Sequence, residues 1–325
     1  MNPFAQSKEE SVSEWSENAL IGKIKNWLGS ASPDTPLGIG DDCSAVPLPR
    51  DKAYLLTTTD PVIYGSHFDE CLSPENVAKK LLRRNISDIA SMGGDPRHAI
   101  LSLAAPGSLS LDWLQRFYTG LSREAEQWEI QINGGDLTST EDFLGAFLTL
   151  VGYANDRILE RKGASPGSLL YVTGSLGGSR LGKHFSFEPR LPEGQWLASH
   201  PAVTSCMDLS DGLGKDCAAL LLDHCAAVID AGSIPVSKAA RTVAKESGRP
   251  PLDHAINDGE DYELLFTLEP DWDPQQFESA WNAQFDTRLS QIGRIEERSG
   301  DQAPVSLSDS HNSIRFSGYD PFRST

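Results

Sequence analysis

The run Thr57-Thr58-Thr59-Asp60, followed by Pro61-Val62-Ile63-Tyr64-Gly65-Ser66-His67-Phe68-Asp69, organises the chain. Before it, Ala53-Tyr54-Leu55-Leu56 is aromatic and aliphatic and leaves a turn-rich Pro49-Arg50-Asp51-Lys52, which predicts a strand. A buried strand that ends in three hydroxyls and a carboxylate, then breaks at a proline, would deliver oxygen atoms to a sheet edge. Hard cations take ligands of that kind. The theme returns at Gly40-Asp41-Asp42, Asn85-Ile86-Ser87-Asp88, Gly134-Gly135-Asp136 and Asp208-Leu209-Ser210-Asp211-Gly212.

At 325 residues the chain has room for two domains, each able to bury a core. Lys and Arg number 28 against 46 Asp and Glu, a net charge of −18. Nucleic acid and anionic membranes demand basic surface, so neither is expected as a partner. A phosphorylated substrate stays compatible if metal ions supply positive charge. The five cysteines, Cys43, Cys71, Cys206, Cys217 and Cys225, contain no C-x-x-C, which predicts reduced thiols rather than a disulfide framework or structural zinc. The first ten residues have no apolar signal-peptide core and no run approaches a membrane span, so the expected location is the cytoplasm.

Taken in order, residues 13–28 read as an amphipathic helix with Leu20, Ile21, Ile24, Trp27 and Leu28 on one stripe. Gly38-Ile39-Gly40-Asp41-Asp42, taken alone, reads as a tight turn. Ser73-Pro74-Glu75 supplies an N-cap, a first-turn proline and an acid at the positive dipole end of a helix running to Met92. Ala78, Leu81, Leu82, Ile86, Ile89 and Ala90 form its buried side. Asp88 borders that side, either as a ligand or as the partner of Arg84. Strands are expected at 98–105, 129–133 and 143–153, with a helix at 111–126 between the first two. The junction of the halves falls at Asn155-Asp156, giving domains 1–154 and 155–325.

The second half opens with the basic turn Arg161-Lys162-Gly163 and a strand at 168–173. Gly177-Gly178-Ser179-Arg180-Leu181-Gly182-Lys183 then fits the start of a P-loop. The next residue, His184, lacks the hydroxyl that would hold magnesium, and Pro189 and Pro192 deny it the long following helix. A strand at 203–207 leads to Asp208 and Ser210 on one face. Ser210 or Asp211 then caps a helix with Leu213, Cys217, Leu220, Leu221 and His224 buried. Strands follow at 227–230 and 262–267. Strands alternate with helices, so the class is α/β or α+β.

Asp42, Asp60, Asp88, Asp136 and Asp208 all stand at predicted element ends. Were they to converge, repulsion would be severe without cations. Magnesium binds through one or two carboxylates and keeps waters and phosphate oxygens, so this many acids points to several ions around a polyphosphate. No nitrogen-rich set suits zinc.

These residues also carry a resemblance. The chain resembles the thiamine-monophosphate kinase family, of the superfamily that includes aminoimidazole ribonucleotide synthetase. The motifs are G-I-G-D-D at 38–42, T-T-D at 58–60, G-S-H-F at 65–68, N-I-S-D at 85–88 and M-G-G-D-P at 92–96. They continue with G-G-D at 134–136, R-K-G-A-x-P-G at 161–167, D-L-S-D-G-L at 208–213 and G-E-D-Y-E-L at 259–264. The resemblance implies ATP-dependent phosphorylation of thiamine monophosphate to the diphosphate. It also implies two α/β domains and a homodimer formed through the N-terminal halves, whose interface helps to build the nucleotide site. By position, Asp42, Thr58, Thr59, Asp60, Asp88, Asp136, Asp208 and Asp211 would hold Mg2+, with Asp60, Asp136 and Asp208 at the reacting centre. Gly135, Asp136, Arg161 and Ser210 would touch ATP, and His67, Glu260 and Tyr319 the thiamine phosphate. The metal count and any use of K+ stay open.

Two departures stand out. Leu137 replaces a hydroxyl residue expected after Gly-Gly-Asp, and the segment between Gly174 and Asp208 is short. Sister enzymes are disfavoured. Selenophosphate synthetase expects an N-terminal Cys or selenocysteine, whereas Cys43 follows the Asp pair. The hydrogenase maturation enzyme expects a C-terminal Cys, whereas the sequence ends Phe322-Arg323-Ser324-Thr325. A binding protein without turnover is a further alternative, against which the intact acids argue.

Overall fold

The computed structural model describes residues 2–15, 17–33, 49, 51–155, 157–308, 314 and 316–319. Asp42 and Cys43, with the whole Gly38–Asp42 motif, lie outside the described residues. The chain forms two compact units, one of Met1–Ile89 with Gly94–Asp156, the other of Ala90–Gly93 with Arg157–Thr325.

The first unit contains α1 (Glu17–Leu28), β1 (Tyr54–Ile63), α2 (Pro74–Ser91), β2 (Asp95–Pro106), α3 (Leu111–Gln127), β3 (Gln131–Thr140) and β4 (Gly145–Ala154). Its sheet runs β1-β4-β2-β3, antiparallel except for the parallel β2–β3 pair. Two expectations change here. The strand carrying Thr57 to Asp60 does not break at Pro61 but runs on to Ile63. Nor is it a buried strand, since Leu55 is 55% exposed. Both follow from its place at the sheet edge, where a residue without an N–H is tolerated. Likewise Gly134-Gly135-Asp136 lies inside β3 rather than in a loop after it.

Pairing fixes which side chains share a face. Asp60 sits opposite Leu148, Leu148 opposite Leu101, and Leu101 opposite Gly135. α2 packs on this face: a Cβ at Gly94 would come 2.8 Å from Ile89 Cγ2, and one at Gly152 would come 3.2 Å from it. The opposite face carries Leu55, Thr57, Thr59, Ile100, Phe147 and Asp136. Ser73 caps α2, its hydroxyl accepting Asn76 N–H at 3.3 Å. Glu75 in the first turn takes two bonds from Arg116 of α3, at 2.7 and 2.9 Å. Gly120 lets the two helices close in, because a Cβ there would lie 2.6 Å from Glu75 Cα. Every residue assigned to the buried side of α2 is at most 2% exposed.

The second unit contains β5 (Leu169–Thr173), α4 (Lys183–Ser186), α5 (Leu191–Ser199), β6 (Val203–Asp208), α6 (Leu213–Leu220) and β7 (Cys225–Ile229). It continues with α7 (Lys238–Ser247), α8 (Pro251–Asn257), β8 (Leu264–Leu268), α9 (Pro274–Gln284), β9 (Leu289–Glu297) and β10 (Val305–Leu307). The sheet order is β10-β7-β9-β5-β8-β6. Leu213, Cys217, Leu220 and Ile256 from α6 and α8 pack with Leu170, Val172 and Ile229 in one core. Leu197, Phe277 and Trp281 from α5 and α9 pack with Tyr171 and Phe266 in another. α6 stops at Leu220, so His224 is exposed rather than buried. Its N-cap is Gly212, not Ser210 or Asp211. Asp216, inside the helix, reaches back to accept the N–H groups of Asp211 and Gly212, both at 3.0 Å. Cys71, Cys206, Cys217 and Cys225 are free thiols. Among the described residues no helix is long and apolar enough to cross a membrane.

The two adjacent glycines of β3 are not equivalent. A Cβ at Gly135 would lie 1.9 Å from the Leu101 carbonyl oxygen, whereas one at Gly134 would meet nothing closer than 3.9 Å. Gly135→Ala is expected to lower unfolding free energy by about 1–3 kcal/mol, the usual cost of forcing packed backbone apart. Urea denaturation beside Gly134→Ala, which should lose less, checks this.

Candidate active site

In the first unit, α2 faces the end of β1. Thr58 donates its hydroxyl to Asp88 Oδ2 at 2.5 Å. Arg84, one turn before Asp88, spans to β1 instead, reaching Asp60 Oδ1 at 3.3 Å and the Pro61 carbonyl at 2.9 Å. Thr58, Asp60 and Asp88 thus form one oxygen-rich corner, with a guanidinium beside it. His67 lies in the turn after β1. Its Nδ1 accepts the Ile63 N–H at 3.2 Å, so the neutral ring carries its proton on Nε2. The buried Lys80 ammonium holds this turn through the His67 carbonyl at 3.0 Å.

Other expected residues do not join that corner within the unit. Thr59 points to the opposite face, donating to the Leu148 carbonyl at 3.1 Å and accepting from Thr149 at 3.3 Å. Asp136 shares Thr59's face but sits on β3, the far edge of the sheet, about three strand spacings or ~14 Å away. Thr138, two residues on and therefore on the same face, donates to Asp136 at 2.7 Å. Leu137 points to the other face with Gly135 and Leu103, so its lack of a hydroxyl takes nothing from Asp136.

The second unit gathers its own set. Asp208 closes β6, 3% exposed. The loop after it is tied on two sides. Glu260 N–H donates to the Ser210 carbonyl at 2.7 Å, and Tyr319 N–H to the Asp211 carbonyl at 2.8 Å. Lys215 bridges the Asp211 carboxylate at 2.6 Å and the Tyr319 carbonyl at 2.8 Å. Asn257 Oδ1 accepts from Ser317 N–H at 2.9 Å and from Gly318 N–H at 3.3 Å. Ser210, Asp211, Glu260 and Tyr319, distant in sequence, are therefore neighbours. Arg161 is exposed in the turn before β5.

The P-loop-like segment serves this loop rather than a phosphate. Gly177 N–H lies 3.0 and 2.9 Å from the two Asp261 oxygens, and Gly178 N–H 3.1 Å from Asp258 Oδ2. Ser179 donates to the Gly259 carbonyl at 2.7 Å. Lys183 reaches Glu263 Oε1 at 2.8 Å, Asp261 Oδ1 at 3.6 Å and the Ser175 carbonyl at 2.6 Å. Arg190 meets Glu263 with two bonds of 2.7 and 3.0 Å. Phe187 stacks on Tyr262 at 4.1 Å. His184 Nδ1 lies 3.7 Å from Glu260 Oε2. None of these supporting roles was read from the sequence. Two acids at the start of a buried strand, in a Gly-Glu-Asp-Tyr-Glu run, were the available signal, since buried carboxylates need partners.

That clamp holds strained backbone. Glu260 and Tyr262 have φ of +54° and +50°, a region that costs a residue with a side chain about 1–3 kcal/mol. It also fixes charge states. Burial pushes the Asp261 carboxyl up to about 7, against the pull of Lys183 and the Gly177 N–H. Burial would raise Glu263 too, but the charges and hydrogen bonds of Lys183 and Arg190 hold it below the usual range.

A carboxyl raised in the folded state adds stability that is complete below its unfolded pKa of 3.8 and is lost as pH rises through about 7. The stability difference between wild type and Asp261→Asn should therefore fall between pH 5 and pH 8. Urea unfolding across that range tests it; a difference that does not change with pH would contradict the raised carboxyl.

As donors, the first corner offers only carboxylate and hydroxyl oxygens, the set a magnesium ion prefers. Among the described residues no group of three or more His, Cys, Asp or Glu is gathered to hold a metal. Comparison with known proteins gives the family. Residues 40–154 match the family described as AIR synthase related protein, N-terminal domain. The thiamine-monophosphate kinase of Rhodopirellula baltica is 33% identical over 276 residues, spanning 82% of this chain and 86% of that protein. The crystal structure of thiamine-monophosphate kinase from Stenotrophomonas maltophilia K279a superposes with a TM-score of 0.75 at 29% identity, over 93% of this chain and 98% of that one. AaThiL complexed with AMPPCP and TMP superposes with a TM-score of 0.72, also at 29% identity, over 96% and 98% of the two chains. With mixed α/β units and identity across most of both sequences, the chain belongs to the thiamine-monophosphate kinase family.

Proposed function

We propose that this chain transfers the γ-phosphoryl group of ATP to thiamine monophosphate, giving thiamine diphosphate and ADP. The observation that carries this is the match across 82% of the chain to a thiamine-monophosphate kinase. The relative AaThiL, solved with AMPPCP and TMP, agrees with that reading.

The chemistry suits the residues. The acceptor phosphate has its second pKa near 6, so at neutral pH its oxygen is already anionic and needs no general base. That oxygen forms a bond to the γ-phosphorus as the bond to the β,γ-bridging oxygen breaks, and ADP leaves with the electron pair. What the protein must provide is alignment and charge neutralisation. Thr58, Asp60 and Asp88 would hold Mg2+ at their corner of the first unit; Asp42, Thr59 and Asp136 are the further proposed ligands, the last two on the opposite face of the sheet. Asp208 and Asp211 would do so in the second. Bound there, Mg2+ supplies the positive charge that offsets the phosphates. Gly135, Asp136, Arg161 and Ser210 would contact ATP. His67 would meet the acceptor phosphate, and Glu260 with Tyr319 the thiamine head, whose thiazolium cation suits a carboxylate.

A homodimer through the first unit belongs to the same reading. Its support is the sheet face opposite α2, where Leu55, Ile100 and Phe147 are 55%, 48% and 38% exposed. A second copy on that face would cover them. Leu55→Glu with Ile100→Glu should then shift the mass measured by light scattering from dimer to monomer.

Turnover is tested by ADP release from ATP and Mg2+, with and without K+, offering thiamine monophosphate, thiamine, an aminoimidazole precursor or no acceptor. Activity is expected with thiamine monophosphate alone, and Asp60→Asn should lower kcat by about 10²-fold or more. Turnover with another acceptor would move the substrate. ATP binding without turnover would favour a binding protein.

A further inference from the structure

The stretch Gly177–Lys183 has the sequence of a phosphate cradle, yet its donors are committed elsewhere. Gly177 and Gly178 give their N–H groups to Asp261 and Asp258. The three contacts of Lys183 go to Ser175, Glu263 and Asp261. Of the ammonium's three protons, two meet protein acceptors at hydrogen-bond distance, and the charge also pairs with the Asp261 carboxylate at 3.6 Å. A carboxylate of the chain itself occupies the position that a phosphate takes in a nucleotide-binding loop.

The beneficiary is the segment 258–263. Asp258 accepts from Gly178, the Gly259 carbonyl from Ser179, and Asp261 from Gly177. Tyr262 N–H donates to the Leu209 carbonyl and the Glu260 N–H to the Ser210 carbonyl. Glu263 accepts from Lys183, Arg190 and Thr173. In the middle stand Glu260 and Tyr262, both in the left-handed region. Strain of this kind persists only where its surroundings over-determine it, and it collects at working sites. Lys183 contacts both carboxylates that follow Glu260, and the next residue of α4, His184, faces Glu260 itself.

We propose that Lys183 is a positioning residue for Glu260. By tying Asp261 and Glu263 to α4, it fixes the left-handed turn that aims the Glu260 carboxylate at the cationic ring of the substrate. This rests on Glu260 binding thiamine monophosphate, as set out above. Lys183 itself touches neither substrate nor nucleotide.

The test is a split in kinetic constants among Lys183→Met, Lys183→Arg and Glu260→Ala. Lys183→Met should raise KM for thiamine monophosphate about tenfold while KM for ATP stays within about twofold, the pattern of lost ground-state binding at one substrate. Lys183→Arg, which keeps the charge, should recover most of the loss. A purely structural lysine would lower Tm without that split. Should Lys183→Met not fold, the isosteric Asp261→Asn is expected to show the same selective rise. An unchanged KM for thiamine monophosphate in the folded variant, or an equal loss for both substrates, overturns the proposal. Glu260→Ala separates the two readings. If it raises KM and the Lys183 variant does not, the positioning role alone fails. If Glu260→Ala leaves KM unchanged, the assignment of Glu260 fails and the positioning role falls with it.

Discussion

A carboxylate removed from water must be met by cations or N–H groups, or it takes up a proton. In the second unit two such groups follow one another almost directly, Asp261 and Glu263, each 1% exposed. Glu263 has two cations and a hydroxyl and stays charged below the usual range. Asp261 has one backbone N–H and a lysine at 3.6 Å, and its carboxyl rises to about 7. The difference is a matter of partners rather than depth. Much of the local architecture follows from meeting these needs. The tight glycine turn exists to bring an N–H to Asp261, and the short α4 to bring Lys183 over both acids. Glycine is required at that turn. Gly177 has φ of +86°, and a Cβ there would lie 2.6 Å from the backbone of Ala255.

The first unit is governed by a different constraint, the period of two along a strand. Thr57-Thr58-Thr59-Asp60 looks like one cluster in sequence, but alternation sends Thr58 and Asp60 toward α2 and Thr57 and Thr59 to the other face. Edge position then permits Pro61 within the strand and leaves hydroxyls accessible on both sides. Asp136 lies on the Thr59 face at the far edge. The proposed ligands therefore fall on opposite faces and opposite edges of one sheet, which one copy of that sheet does not gather into a single site. The proposed second copy would bring its own edge alongside.

This explains what could and could not be read in advance. The helices with strong periodic faces and cap signals were legible: α2 and α3 fall almost where spacing places them. The α/β or α+β class was legible from alternation. The acidic corners at Asp60, Asp88 and Asp208 were legible as residue types in tight motifs. Register was not legible, because it depends on which strands pair, and only pairing separates Asp136 from Asp60. Nor was the supporting shell. Lys183, Arg190 and Lys215 reach residues 73 to 104 positions away, which no local pattern marks. His224 failed for a simpler reason, since α6 ended one turn sooner than the apolar spacing suggested.

The P-loop resemblance shows why a motif must be read with its surroundings. Glycines followed by a lysine make a concave array of donors whatever anion is offered. Whether that array binds a nucleotide depends on what else competes for it. Here the competitor is covalently attached, so its effective concentration exceeds that of a free phosphate unless geometry forbids contact. Contact is made, at 2.9 Å. The same donors that would have held a phosphate are used to hold Asp261, the neighbour of Glu260. In a chain of net charge −18, donor groups of this kind are scarce. With these donors committed to Asp258 and Asp261, the proposed transfer would take the positive charge for its phosphates from bound cations.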